Sequence, residues 1–298
     1  MTKPAIGFIG LGLMGNAMVQ RLQAKDYALT VLANRSREAV DAAVAKGASE
    51  AKSAREVAEA SDIIMLCMDT SASVESRMLG EDGIIAGLSA GKTVIDFGTS
   101  LPASTRMLGE KVDAKGAAFL DAPLGRTPAH AVDGLLNIMG AGDKAAFDKV
   151  KPVLEDLGEN VFHLGPLGAG HTTKLINNFF GMTVATAMSE AFAMADLAQV
   201  ERQTLYDVMS AGPLHSGMMD FVKGYAVDGD PAQLAFAIKN ARKDVGYYAT
   251  MADDAGAASL MSNGPKQALG IALAQGRGDD MVSQMTDFFA DLFDPKNT

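Results

Sequence analysis

Apolar positions in the first half of the chain fall into short runs, separated by stretches where they recur at three- and four-residue spacing. The runs at 5–9, 29–33, 63–68, 93–97 and 118–121 are dominated by Ile, Leu, Val, Phe, Met and Ala, as in Ile63-Ile64-Met65-Leu66-Cys67-Met68. They have the length and continuity of strands buried on both faces. Segments 37–46 and 54–60 between them carry helical patterns. This alternation predicts an α/β fold with a mostly parallel, doubly wound sheet and helices on both faces. Ligands are then expected in the crevice at the carboxyl ends of the strands. Two later runs, 136–139 and 161–164, are expected to join the sheet edge in mixed orientation. After Gly165-Pro166-Leu167-Gly168-Ala169-Gly170 the pattern changes, and long Ala- and Met-rich helical periodicity takes over, as in 173–199. The expected organisation is a doubly wound domain over 1–165 and an all-helical C-terminal domain over 166–298. So long and apolar a helix favours burial on several sides, and hence an oligomer interface.

The first apolar run drops directly into Gly10-Leu11-Gly12-Leu13-Met14-Gly15, and Ala17, Met18 and Leu22 then follow at helical spacing. Strand, glycine-rich turn and helix in this order form the dinucleotide-binding unit of a Rossmann domain. The first glycine permits the tight turn, and the second lets the backbone approach a pyrophosphate at the helix N-terminus. The third allows close helix–strand packing. About 20 residues further on, an acidic residue would bind the ribose 2′-OH of NAD. The second strand instead ends in Asn34-Arg35-Ser36-Arg37, with no carboxylate before Glu38. Arginine matches phosphate geometry and serine donates a hydrogen bond, so Asn34, Arg35 and Ser36 favour NADP, with NAD as the alternative. Met68 and Thr99, at and just beyond the ends of two further strand runs, complete the expected cofactor-binding set.

Bulk properties narrow the partners. The formal net charge of −10 argues against nucleic acid. No apolar stretch reaches the roughly 18 residues needed to span a bilayer, and no leader pattern opens the chain, so a cytoplasmic protein is expected. Cys67 is the single cysteine, within an apolar run, and reads as packing rather than as a nucleophile. Histidines at 130, 163, 171 and 215 lack metal-ligand spacing, and no metal is expected.

Three segments carry candidate chemistry: 121–131, 168–178 and 239–244. Lys174, Asn177 and Asn178 are spaced i, i+3, i+4, so they share one helix face, among Leu175, Ile176, Phe179 and Phe180. Apolar surroundings disfavour a charged ammonium and prepare a lysine for proton transfer near neutrality, while two amides can orient a hydroxyl or carboxylate. The same residues also fit a polar patch at a helix start, with the asparagines as caps.

FIGLGLMG at 8–15, DAPLGRT at 121–127, GxGxxxKLINN at 168–178 and Lys243-Asp244 occur in the order and spacing of the β-hydroxyacid dehydrogenase family, which the chain resembles over essentially its whole length. The resemblance implies a Rossmann domain followed by a helical domain, assembly as a homodimer or homotetramer, and a small anionic hydroxy acid or semialdehyde as substrate. It implies a catalytic role for Lys174, with Asn178 assisting orientation and Lys243 lining the nicotinamide and substrate pocket. In the common family pattern the middle motif reads DAPVSGG and holds the substrate carboxylate; here Gly125, Arg126 and Thr127 stand instead. The GRT variant resembles the loop of sulfolactaldehyde reductases, in which the Arg and the first Asn of KLINN, Asn177 in this chain, contact a sulfonate. A serine that contributes there falls at Gly181, a departure from that pattern. Arg126 also fits a loop brace to Asp121 or Asp133. The resulting expectation is hydride transfer to or from a small β-hydroxy acid with Lys174 as acid/base, domain closure excluding water, and sulfolactaldehyde reduction as the alternative. A non-catalytic NADP-binding regulator is a further alternative, against which Lys174 counts. Lys174 also counts against an imine reductase, since that branch usually replaces the lysine with Asp or Tyr.

Overall fold

The computed structural model describes residues 3–34 and 36–294. They divide into two units, Met1–Lys174 and Leu175–Thr298. In the first, strands β1 (Ile6–Ile9), β2 (Leu29–Leu32), β3 (Ser49–Ala51), β4 (Ile63–Leu66), β5 (Thr93–Asp96) and β6 (Ala118–Asp121) alternate with helices α1 (Leu13–Ala24), α2 (Glu38–Ala45), α3 (Ala54–Glu59), α4 (Ser71–Met78), α5 (Ile84–Gly87) and α6 (Pro102–Asp113). All neighbours in this sheet are parallel, in the order β3-β2-β1-β4-β5-β6. The order reverses between β1 and β4, and in open α/β sheets that is where the ligand crevice forms.

Two-residue alternation distributes the side chains over the two faces. Phe8, Ile63, Met65 and Ile95 belong to one core with Met18 and Leu22 of α1. Ile9, Ile64, Leu66 and Val94 belong to the other, with Val57 of α3 and Leu108 and Val112 of α6. Both faces are thereby covered, as a continuous apolar strand requires.

The runs expected at the edge of this sheet form a separate one. β7 (Leu124–Gly125), β8 (Leu136–Gly140) and β9 (Gly158–His163) make a three-stranded sheet, with β7 antiparallel and β9 parallel to β8. Against β6 there is only the isolated bridge Asp121–Ala141. The chain leaves β6 through Pro123, which has no N–H to extend a ladder, and Gly142 at φ +124° turns it away. Helices α7 (Pro128–Asp133) and α8 (Lys144–Leu157) flank this sheet, and Phe147, Val150 and Leu154 of α8 bury against Leu136 and Ile138.

Helix α9 (Ala169–Leu197) runs from the first unit into the second. The second unit continues with α10 (Arg202–Ser210), α11 (Gly217–Ala226), α12 (Ile238–Asp254), α13 (Asn263–Ala274) and α14 (Met285–Phe293). Its core gathers Phe192, Val222, Ile238, Val245, Leu269, Met285 and Phe288. No strand occurs among its described residues, and no described helix is long and apolar enough to cross a membrane.

Candidate active site

The glycine turn has the shape its spacing requires. Gly10 sits at φ +98°, where a Cβ would lie 2.3 Å from the carbonyl oxygen of Cys67. A Cβ at Gly15 would lie 1.9 Å from the carbonyl oxygen of Gly10, so that α1 can start only on a glycine there. Above Gly12, by contrast, a Cβ would meet nothing within 4 Å. Gly12 is also the N-cap of α1 and offers no side-chain acceptor to the first-turn amides. Tight packing beneath and open space above an uncapped helix N-terminus fit a pyrophosphate. Leu13 is 86% exposed beside it.

Gly10, Leu11, Gly12, Asn34, Ser36 and Met68 line one cavity of about 260 Å³, together with Leu32, Val40, Cys67, Asp69 and Ser73. Leu13, Met14, Gly15 and Thr99 do not line it; Thr99 is half-buried just past β5. Arg35 lies outside the described residues. Arg37 turns from the cavity to carboxylates, donating to Glu50 at 3.0 Å and to Asp41 at 2.9 Å. Burial pushes the Cys67 thiol up to about 12, and the Asp96 carboxylate adds to this. The thiolate is therefore a negligible fraction at pH 8. The folded protein should resist carboxamidomethylation by iodoacetamide at that pH over an hour; stoichiometric labelling seen by intact mass would contradict this assignment.

A buried polar cluster fixes the start of α9. Asp121, at the end of β6, accepts the backbone N–H of Gly168 through Oδ1 and that of His171 through Oδ2, both at 2.7 Å. His171 is fully buried, with Nδ1 2.7 Å from the Thr105 hydroxyl and Nε2 3.6 Å from Oδ2 of Asp96. Asp96 in turn accepts the Gly98 N–H and the Ser100 hydroxyl, each at 2.8 Å. The carboxyl ends of β5 and β6 are thus tied to the helix turn preceding Lys174.

Because α9 begins at Ala169, Asn177 and Asn178 lie in its interior and do not cap it. Lys174 is half-buried, Leu175 fully buried, while Ile176 is 50% and Phe180 69% exposed, so the apolar surroundings are one-sided. Phe179 stacks on Tyr248 at 4.0 Å. Asn178 is buried and donates to Oδ2 of Asp244 at 2.6 Å, and its own Oδ1 accepts from Asn177 at 3.2 Å. Asp244 also pairs with Lys243 at 3.0 Å, and the Lys243 ammonium lies 5.3 Å from the centroid of the Tyr247 ring. Asn177, Asn178 and Lys243 are thereby brought together in the helical unit.

In the middle loop, Gly125 ends β7 and Thr127 is the N-cap of α7, its hydroxyl 2.7 Å from Nδ1 of His130. Between them Arg126 adopts φ +76°. Its Nη1 donates to the Leu135 carbonyl at 2.7 Å and to Glu159 at 2.6 Å. The carboxylate that Arg126 meets is therefore Glu159, and not Asp121 or Asp133.

A family model described as the NAD-binding domain of 6-phosphogluconate dehydrogenase matches residues 5–165. A second, described as NAD-binding of NADP-dependent 3-hydroxyisobutyrate dehydrogenase, matches residues 168–289. The chain belongs to the β-hydroxyacid dehydrogenase family. It is an NAD(P)-dependent oxidoreductase. It is similar to the NAD-dependent L-serine dehydrogenase of Pseudomonas aeruginosa, at 36% identity over 68% of each chain. To the 3-sulfolactaldehyde reductase of Escherichia coli it is 30% identical over 92% of each chain. The solved 3-hydroxyisobutyrate dehydrogenase of Mycobacterium tuberculosis, with L-serine, shares the fold at a TM-score of 0.84 and 22% identity, covering 96% of this chain and 99% of that one.

In the sequence of this β-hydroxyacid dehydrogenase the Lys243-Asp244 pair stands out, but nothing there gives Asp244 a role of its own. The signal was the acidic residue itself, for a buried carboxylate needs a donor and the helical asparagines were the candidates. The Asp96–Asp121–His171 cluster had no comparable local sign.

Proposed function

We propose that this protein interconverts a small β-hydroxy acid and its semialdehyde, preferring NADP to NAD, with Lys174 as the acid/base. The observation that carries this is the α9 face: Lys174 set i, i−4 from Asn178, whose amide is fixed by the buried Asp244 at 2.6 Å. Bound nicotinamide supplies the hydride donor or acceptor. In reduction the Lys174 ammonium donates its proton to the carbonyl oxygen, and in oxidation the neutral amine takes it back. Asn178 orients Lys174 or the substrate oxygen. Asn177, Thr127 and the Gly125 backbone hold the acid group at the other end of a three- or four-carbon molecule, with Lys243 as a further cation. Gly10–Gly15 carry the pyrophosphate, and Asn34, Arg35, Ser36, Met68 and Thr99 the rest of the cofactor. Exposed Ile176, Phe180, Met194 and Leu197 along α9 support assembly as a homodimer or homotetramer through the helical unit.

The acid group is the open choice. The similarity to the sulfolactaldehyde reductase and the GRT loop favour a sulfonate reading, while the pairing of Arg126 with Glu159 and Leu135 favours a brace. A clamp on the substrate requires Arg126 to exchange Glu159 for the ligand. The deciding experiment is kcat/KM with NADPH and NADH for sulfolactaldehyde, succinic semialdehyde, tartronate semialdehyde and glyoxylate, in wild type and Arg126→Ala. On the carboxylate reading, a carboxylate aldehyde is the best substrate and the variant loses less than about threefold. Loss of a charge-assisted pair to substrate would instead cost about 10- to 100-fold on the sulfonate. Turnover of none of the four overturns the semialdehyde reading.

A further inference from the structure

We propose that Arg77 is a specificity-determining residue for the cofactor, completing a site for the 2′-phosphate of NADP with Asn34 and Ser36. This rests on the cofactor reading above and names a residue that neither the glycine motif nor the end of β2 contains. Arg77 lies on α4, and its Nη2 donates to Oδ1 of Asn34 at 2.8 Å. Asn34 and Ser36 line the cavity that begins at Gly10 and Gly12. Ser73, one helical turn before Arg77 on the same face of α4, lines that cavity too. The face of α4 that carries Ser73 and Arg77 therefore looks onto the end of β2, where the ribose 2′ position of a dinucleotide arrives.

Charge separates the two described arginines at this end of the sheet, Arg37 and Arg77. Arg37 is committed to Glu50 and Asp41, and drawing it to a ligand would break an ion pair with each. Arg77 is held by a neutral amide, which fixes the guanidinium without cancelling its charge and uses one of its five donors. The carboxylate in the same cavity, Asp69, accepts the Ser73 hydroxyl at 2.8 Å. A half-buried guanidinium oriented by Asn34 offers a planar fork to a phosphate dianion and little to the neutral 2′-hydroxyl of NAD. Arg77 thus discriminates between the two cofactors from beside Asn34, at the edge of the cavity that Asn34 lines.

The test is calorimetric Kd for NADP⁺, NAD⁺, 2′,5′-ADP and 5′-AMP with wild type, Arg77→Gln, Arg77→Lys and Arg37→Gln. The expected result is a wild-type preference for NADP⁺ and 2′,5′-ADP. Arg77→Gln should weaken both by about 10- to 100-fold, the range for hydrogen bonds to charged groups, with NAD⁺ and 5′-AMP held within about threefold. Arg77→Lys should fall between the two, keeping the charge and losing the fork. Arg37→Gln should stay within about twofold of wild type for all four. If Arg77→Gln fails to fold, the NADP⁺/NAD⁺ ratio of Arg77→Lys carries the test, and an unchanged ratio overturns the assignment. Equal loss for phosphorylated and unphosphorylated ligands, or no loss, with the wild-type preference intact, makes Arg77 a brace and overturns this inference alone. A wild-type chain that prefers NAD⁺ overturns the cofactor reading and the assignment with it.

Discussion

Lys174→Met should lower kcat by about 10²- to 10⁴-fold, while Kd for NADP⁺ stays within about twofold. A positioned general acid contributes typically 10²- to 10⁴-fold, and methionine keeps the length and stem packing of lysine while removing the exchangeable proton. The cofactor cavity is lined by the turns after β1 and β4, the end of β2 and the segment after it, and residues of α2 and α4, none of them on α9, so nucleotide affinity has no reason to follow turnover. A second readout separates proton transfer from mere support of the helix. In Lys174→Arg the positive charge remains but the group holds its proton throughout the accessible range, so kcat should stay low in both directions. Single-turnover reduction followed at 340 nm across pH would then show the wild-type ionisation missing from both variants. Retention of near wild-type kcat by Lys174→Met would remove the lysine from the chemistry.

Features written in neighbouring residues were legible before the fold was known. The glycine turn declares itself because its three glycines fall within six consecutive residues, and the Lys174–Asn178 face because helical spacing needs only five. The strands β1, β2, β4, β5 and β6 were legible because burial on both faces leaves a short, predominantly apolar run. β3 was not: it is three residues long, and of Ser49, Glu50 and Ala51 only the last is buried. An edge strand with one buried position has no periodicity to read. The second sheet was misplaced for a different reason, since the partner of Leu136–Gly140 is set by where Pro123 and Gly142 send the chain. Contacts across long separations were the most opaque. Asn178 meets Asp244 66 residues away, Asp121 meets His171 across 50 and Arg77 meets Asn34 across 43. In each pair both members are common polar residues, and only the fold states which acceptor belongs to which donor. Arg126 shows the same limit: its residue type announced a cation, and Glu159, 33 residues on, holds it in this structure.

Gly170→Ala should be strongly damaging although it adds only a single methyl group. Alanine is ordinarily the better helix former, worth up to about 1 kcal/mol over glycine inside a helix. At Gly170 that preference is outweighed. The added Cβ would stand 2.3 Å from the backbone carbonyl oxygen of Met139, 2.8 Å from Oδ2 of Asp121 and 3.0 Å from the Asp121 carbonyl. Two of these are main-chain atoms of β6 and β8, and the third is a carboxylate already fixed by two amides, so nothing near can yield cheaply. The first turn of α9 must move off the strand ends, and the Asp121 bonds to Gly168 and His171 stretch with it. Overpacking of this kind costs about 1–3 kcal/mol and sometimes more. At about 2–4 °C per kcal/mol for a unit of this size, the midpoint of thermal unfolding should drop by roughly 2–12 °C. Turnover should fall further than stability alone predicts, because the displaced turn carries Lys174 and a shift of about 1 Å can cost 10²-fold. Gly181→Ala on the same helix is the matched control. Its Cβ would meet only the terminal methyl of Met218, at 3.1 Å, a flexible end that can swing aside, so its midpoint should stay level or rise. Equal midpoints for the two variants would mean that the α9 start tolerates displacement, and the rigid placement of Lys174 by Asp121 and His171 would have to be abandoned.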